Sequence, residues 1–220
     1  MSDAVRFRDE LTALLAERGA SIDGGSLALL ERYYALLRRW GAVQNLTRHL
    51  DPSSAARESF GDSWLGLLAL EQACSLLPGQ DLSVLDVGSG AGFPGLVAAI
   101  RWSTSPVTLV EPLKKRCSFL EEVSRQLGLR NVTVLCARVE DVTPTFALVL
   151  SRATVGVGRG YDALIPRVSP RGFAGLFVGP SLSGEAWSRE AGRLGLVRPH
   201  RLSYRGEGDD RAVVVAQRPS

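Results

Sequence analysis

Residues 84–111 read VLDVGSGAGFPGLVAAIRWSTSPVTLVE, and this stretch decides the fold. Val84 to Val87 is a short apolar run rich in branched residues, the pattern of a strand buried on both faces. Gly88, Gly90, Gly92 and Gly95 follow at once; small residues there let the backbone come close to a ligand. Pro94 suits the first turn of a helix whose body, Leu96 to Trp102, is apolar. A second strand, Val107 to Val110, ends in Glu111, where a carboxylate can accept from both hydroxyls of a ribose. Strand, glycine loop, helix and acid-tipped strand make the half of an α/β nucleotide site that holds an adenosine.

Gly90, Gly92 and Gly95 satisfy G-x-G-x-x-G, a pattern with many chance matches, so the context must choose the ligand. A dinucleotide needs its pyrophosphate neutralised at a helix N-terminus. S-adenosylmethionine carries a cationic sulfonium and no phosphate, and Asp86, just before the glycines, favours a cation over an anion. A methyl-donor site is therefore expected ahead of a nicotinamide site, and a ligand-free βα turn would leave the glycines without a purpose.

Working outward, the first eighty residues read as helical. Val5, Leu11, Leu14 and Leu15 form one stripe; Leu27, Leu30, Tyr33, Tyr34, Leu37 and Trp40 repeat at three and four, with Ser26 expected as N-cap after Gly24 and Gly25. A third helix is expected from Pro52 and Ser53 to about Leu70, with Asn45, Leu46 and Thr47 in the loop before it. Beyond Pro78 and Gly79 strands are expected near 83–87, 107–111, 132–136, 147–151, 173–178, 197–204 and 211–217, and helices near 94–102, 113–127, 159–168 and 184–194. Such alternation implies a largely parallel, Rossmann-like sheet with helices on both faces. Only GEGDD separates the last two strands, which must pair as an antiparallel hairpin. The expected fold is α/β, that of a class I S-adenosylmethionine-dependent methyltransferase, with residues 1–80 as a helical extension and 81–220 as the methyltransferase domain of one compact unit.

The chain has 220 residues, 45% hydrophobic and 22% charged, ordinary values for a globular protein. No apolar run approaches the roughly 20 residues that span a bilayer, and MSDAVRFRDE has no signal-peptide core, so a cytoplasmic protein is expected. Cys74, Cys117 and Cys136 lack a C-x-x-C pair and read as reduced, partly buried thiols, with no metal site expected; Cys136 as a nucleophile would need a histidine partner that is not in view. Residues 1–80 carry eight basic and ten acidic side chains, the rest 18 and 13, a balance that permits polyanion binding without demanding it.

Four pieces in order, WGAVQNLT (40–47), DVGSGAGFPGL (86–96), LVEPLKKRCSFLEEV (109–123) and LSRA (150–153), resemble the bacterial small-subunit ribosomal RNA guanine-N7 methyltransferase family, RsmG, also called glucose-inhibited division protein B. The resemblance covers nearly the whole chain. It implies S-adenosylmethionine as cofactor, small-subunit ribosomal RNA as partner and a monomer without membrane association. It places cofactor contacts on Gly88, Phe93, Val139, Glu140 and Arg152, all near carboxyl ends of expected strands. The chain departs from the family pattern at Ser59, where relatives carry a histidine, and at Val178, where they tend to carry a lysine.

Guanine N7 holds a lone pair at neutral pH, so its methylation requires no base, and positioning is expected to do most of the work. Arg152 is the expected catalytic residue, either meeting guanine O6 or a neighbouring phosphate through its fork of donors or forming an ion pair with Glu140 or Asp86. Asn45, Asp62 and Ser63 are expected as the facing wall, Asn45 alternatively as a helix cap. Phe93 either covers an apolar part of the cofactor or packs on the next helix. Lys114, Lys115 and Arg116 open a helix against its dipole, which points to a nearby anion or to solvated charge. Two further functions fit the same cofactor site: a small-molecule or antibiotic-resistance methyltransferase, and a weakly catalytic RNA-binding relative.

Overall fold

The computed structural model describes residues 2–44, 46–79, 81–152, 159–179, 181–204 and 211–220. The chain opens with α1 (Asp3–Glu17) and α2 (Gly24–Gln44); α3 (Pro52–Ala55) then runs through a π-helical turn, Ala56–Gly61, into α4 (Asp62–Ala73). The alternating part comes next, as β1 (Val84–Val87), α5 (Gly95–Arg101), β2 (Val107–Val110), α6 (Lys114–Leu127), β3 (Val132–Leu135), β4 (Phe146–Arg152), α7 (Arg159–Asp162), β5 (Val168–Val178), α8 (Gly184–Arg193), β6 (Val197–Ser203) and β7 (Ala212–Gln217).

The seven strands form one sheet in the order β3-β2-β1-β4-β5-β7-β6. The first five are parallel, and β7 pairs antiparallel with both β5 and β6. After β1 the chain builds outward to β3, then returns to lay β4 on the other side of β1. That reversal opens a crevice at the carboxyl ends of β1 and β4, the place where open α/β sheets take ligands.

Alternation along the central strands separates two apolar layers. Val84, Leu148 and Leu150 face the layer shared with α1, α2, α4, α5 and α6, whereas Leu85, Val87 and Val149 face Tyr161, Trp187 and Ala191 on the other side. The amino-terminal helices are integral to the first layer: Phe7, Leu11, Tyr33 and Phe60 lie in one buried cluster with Phe93, Leu96 and Leu109.

Five local expectations are corrected. Phe7, rather than the half-buried Val5, completes the α1 stripe with Leu11, Leu14 and Leu15. Asp23, not Ser26, caps α2: its Oδ1 accepts from the Ser26 N–H at 2.9 Å. The single helix expected over 52–70 is interrupted by the π turn. The helix expected over 159–168 stops at Asp162, because Pro166 lacks an N–H and sits in a short 3-10 turn, after which β5 begins at Val168. Finally, Cys117 and Cys136 are joined as a disulfide between the first turn of α6 and the end of β3, with Cα atoms 5.7 Å apart; Cys74 alone is free.

Candidate cofactor and substrate site

The glycine loop is held from both sides. Gly88 and Ser89 donate their N–H groups to Val110 O at 2.8 and 3.1 Å, tying the loop to β2. Gly92 takes a φ of +95°, and a Cβ there would fall 2.4 Å from both Leu96 Cδ1 and the Tyr33 hydroxyl, so only glycine fits. That hydroxyl, carried by α2 and fully buried, donates to Ala91 O. Burial pushes the Tyr33 phenol well above its usual value, so it stays a donor at any working pH.

Glu111, 2% exposed at the end of β2, accepts from the Gly90 N–H at 2.9 Å through Oε2 and from the Leu113 N–H at 3.0 Å through Oε1. A carboxylate offers about four lone-pair sites, so these bonds leave acceptor capacity for a ribose. Arg116 Nη1 lies 3.7 Å from Oε2, which identifies the anion faced by the basic start of α6; Lys114 and Lys115 are exposed.

Asp86 is fully buried. Its Oδ2 accepts from the Gly95 N–H at 3.1 Å, while Oδ1 has no hydrogen-bond partner. Burial pushes its carboxyl up to about 7. A buried acceptor of this kind, beside a loop whose glycines admit close approach, suits a cationic ligand. The chemistry of these residues fits S-adenosylmethionine, with Glu111 on Gly90 and Asp86 on Gly95 at the two ends of the loop.

Phe93 is 4% exposed and packs against Tyr33 and Phe60, with ring centroids 5.3 and 4.9 Å away. Its ring belongs to the core, joined to the amino-terminal helices more than to α5. Over it sits Arg152, whose guanidinium carbon is 5.1 Å from the ring centroid. The ion pair expected of Arg152 forms with a different carboxylate: Asp62, at 3.3 Å, takes the place of Glu140 or Asp86, and Arg152 also donates to Glu58 O at 3.2 Å. Val139 and Glu140 open a 3-10 turn after β3, with Val139 half-buried against the second apolar layer and Glu140 exposed.

Arg152 and Asp62 stand at the mouth of a cleft of about 550 Å³. Thr47, Arg48 and His49 after α2, Glu58 in the π turn, Phe177 to Gly179 at the end of β5, and Tyr204 and Arg211 at the end of the hairpin complete its described walls. Ser63 does not line it: fully buried, its hydroxyl donates to Ser59 O at 2.7 Å and so supports the helix. Asn45 lies outside the described residues. Burial and the adjacent Arg48 lower the His49 pKa, leaving the ring neutral at pH 7. Arg48, His49, Glu58, Tyr204 and Arg211 escaped the sequence reading because nothing local marks them; Tyr204 and Asp62, 142 residues apart, meet only in the folded chain.

The sequence model of the family described as rRNA small subunit methyltransferase G matches residues 26–187. The ribosomal RNA small subunit methyltransferase G of Carboxydothermus hydrogenoformans is 33% identical over 216 residues, covering 94% of this chain and 89% of that protein. Its namesake from a Nocardioides species is 39% identical over 184 residues, covering 80% and 69%. Among solved structures, the S-adenosylmethionine-dependent methyltransferase SibL superposes with a TM-score of 0.61 at 16% identity, over 85% of this chain and 62% of that one. The Thermus thermophilus 16S rRNA N2 G1207 methyltransferase, solved with AdoMet and guanosine, gives 0.54 at 19% identity, over 71% and 43%. The structural likenesses establish the class I methyltransferase fold. Sequence identity spanning nearly the full length of both proteins reaches further than fold, and the chain belongs to the rRNA small subunit methyltransferase G family.

Proposed function

We propose that this protein transfers a methyl group from S-adenosylmethionine to N7 of a guanine in the 16S RNA of the small ribosomal subunit. The observation that carries the reading is the placement of Arg152, with one side on the Phe93 ring of the glycine loop and the other on the cleft. Cofactor loop and substrate cleft thus share one residue.

When bound, the cofactor supplies an electrophilic methyl carbon on a sulfonium. Gly88, Gly90 and Glu111 would hold its adenosine, Val139 and Glu140 would border the adenine, and Asp86 would accept from its cationic end. Arg152 directs its donors at guanine O6, which leaves N7 and its lone pair toward the methyl group. Asp62 sets the angle of that guanidinium. No proton has to be removed from N7, which agrees with a cleft whose one described histidine, His49, is neutral and bonded to Arg48 Nε at 3.1 Å. Closing the cleft on a base unstacked from its RNA strand excludes water and strengthens each of these contacts.

The reading includes action as a monomer in the cytoplasm, with the amino-terminal helices as part of the catalytic unit. Among the described residues no helix is long and apolar enough to cross a membrane.

The test pairs two measurements. Ribosomal RNA from a strain lacking the gene should lose one 7-methylguanosine by mass spectrometry, and the purified protein should restore it on small-subunit particles with labelled donor. An unchanged methylation pattern together with transfer to a small molecule, or RNA binding without transfer, would overturn the proposal in favour of the two other functions the cofactor site allows.

A further inference from the structure

The end of the terminal hairpin carries machinery that no motif announced. Because β7 runs antiparallel to β5, its first residue, Ala212, pairs with Val178 at the carboxyl end of β5 and with Ser203 at the end of β6. Tyr204 and Arg211, one residue beyond each pairing, therefore leave the sheet at the same end as the glycine loop and Arg152. The Tyr204 hydroxyl donates to Asp62 Oδ1 at 2.9 Å, and its ring packs edge-on against Phe177 with centroids 6.4 Å apart. Arg211 pairs with Glu58, and its Nη1 lies 3.7 Å from Asp62 Oδ1.

Asp62 is the junction. Its carboxylate, 5% exposed, holds Arg152 through Oδ2 and meets Tyr204 and Arg211 through Oδ1. A carboxylate this buried is stable only with several donors around it, and here the donors come from β4 and from the ends of β6 and β7. The hairpin is thereby coupled to the orientation of Arg152. The Arg211 side chain keeps a third of its surface exposed on the cleft. A guanidinium has five donors in a planar fork, enough to hold carboxylate and phosphate partners together. Among the described residues that line the cleft, the arginines Arg48, Arg152 and Arg211 outnumber the carboxylates Glu58 and Asp62, a balance that favours an anionic strand.

We propose that Arg211 and Tyr204 are substrate-positioning residues, Arg211 receiving a phosphate of the RNA strand that delivers the target base and Tyr204, through Asp62, fixing the angle of Arg152. The proposal rests on the RNA reading above. It assigns the two residues different kinetic roles, one in binding the strand and one in aligning the base.

The experiment uses the full chain, small-subunit particles and labelled donor, with donor affinity measured by calorimetry. Arg211→Ala should raise KM for the particles about tenfold and reduce the salt dependence of binding by about 0.7 in the log–log slope, the value for one phosphate contact on a single strand, with donor affinity unchanged. Arg211→Lys, which keeps the charge and loses the fork, should recover the slope and only part of the KM. Tyr204→Phe should lower kcat about fivefold at unchanged KM, in the manner of an interaction felt only in the transition state. Transfer by the unaltered protein comes first, since its failure would overturn the RNA reading itself. Normal transfer with KM, salt slope and kcat unmoved in the variants, or loss confined to melting temperature, would overturn this proposal alone.

Discussion

Asp86 shows at one residue how folding and binding pull in opposite directions. The fold needs an acceptor for the Gly95 N–H, and that glycine is closely packed, a Cβ there falling 2.5 Å from Asp86 Oδ2. The second oxygen is left without a hydrogen bond, and burial raises the carboxyl from 3.8 to about 7. Since the folded value lies above the unfolded one, the native chain holds a proton that the unfolded chain has released. The stability this group contributes is therefore complete below about pH 4 and is lost as pH rises to about 7. Asp86→Asn should flatten that dependence and stabilise the ligand-free protein at pH 8 by about 1–4 kcal/mol, the upper value corresponding to about 1.36 kcal/mol for each pH unit between the unfolded and folded values. The same change should weaken donor binding, because the cation loses its carboxylate. Urea unfolding at pH 5 and pH 8, with calorimetry of donor binding, checks both signs; parallel pH profiles in the two proteins would refute the account. Asp86 was legible as an acid at the end of β1 from its position before the glycines. The missing partner on Oδ1 was not, since it depends on how Leu109, Gly95 and β1 close around the side chain.

At the scale of the element, the π turn from Ala56 to Gly61 matters most for the site. One additional residue in a helix is invisible in an apolar pattern only a few turns long, so residues 52–70 read as a single helix. The extra residue re-aims the side chains around it: Glu58 offers its backbone carbonyl to Arg152, and Asp62 turns its carboxylate to the cleft. Gly61 closes the turn against α1, where a Cβ would fall 2.4 Å from Leu14 Cδ2 and 2.7 Å from Ala56 O. Gly61→Ala should therefore cost about 1–3 kcal/mol of stability, the usual range for an overfilled core. Thermal unfolding measures it, and a variant as stable as the parent would show that the turn is not packed as described. The hairpin β6–β7 makes the complementary point. Its pairing was legible in the short GEGDD connection, yet which side chains it would deliver, and to which carboxylate, required the sheet order that sets β7 beside β5.

At the scale of the molecule, the amino-terminal helices act as the back support of the glycine loop. Phe7 stacks on Tyr34 at 4.3 Å, Tyr33 and Phe60 meet edge to face at 4.9 Å, and both of the latter contact Phe93. Each fully buried side chain of this kind contributes about 1.5–3 kcal/mol through burial alone. The coupling to function runs through the Tyr33 hydroxyl on Ala91 O. Tyr33→Phe should leave that carbonyl unsatisfied, at about 1–3 kcal/mol, and should weaken donor affinity severalfold because the loop it braces is looser. Calorimetry set beside melting temperature distinguishes this from simple destabilisation: a lower melting temperature with unchanged donor affinity would dissociate the helices from the site.

The sequence by itself determined the features that depend on neighbours along the chain. The strand–glycine–helix unit, the alternation that makes a parallel sheet, the acid at the end of β2 and the terminal hairpin are all set by local sterics and by the period of apolar residues. The tertiary structure alone decided which distant groups meet. The Asp62 knot joins Arg152, Tyr204 and Arg211, the Cys117–Cys136 pair replaces two thiols, and Tyr33 braces a loop 58 residues away. Burial makes the Asp62 and Tyr33 pairings compulsory, because a charge or a carbonyl removed from water must find its partner in whatever the fold has brought beside it.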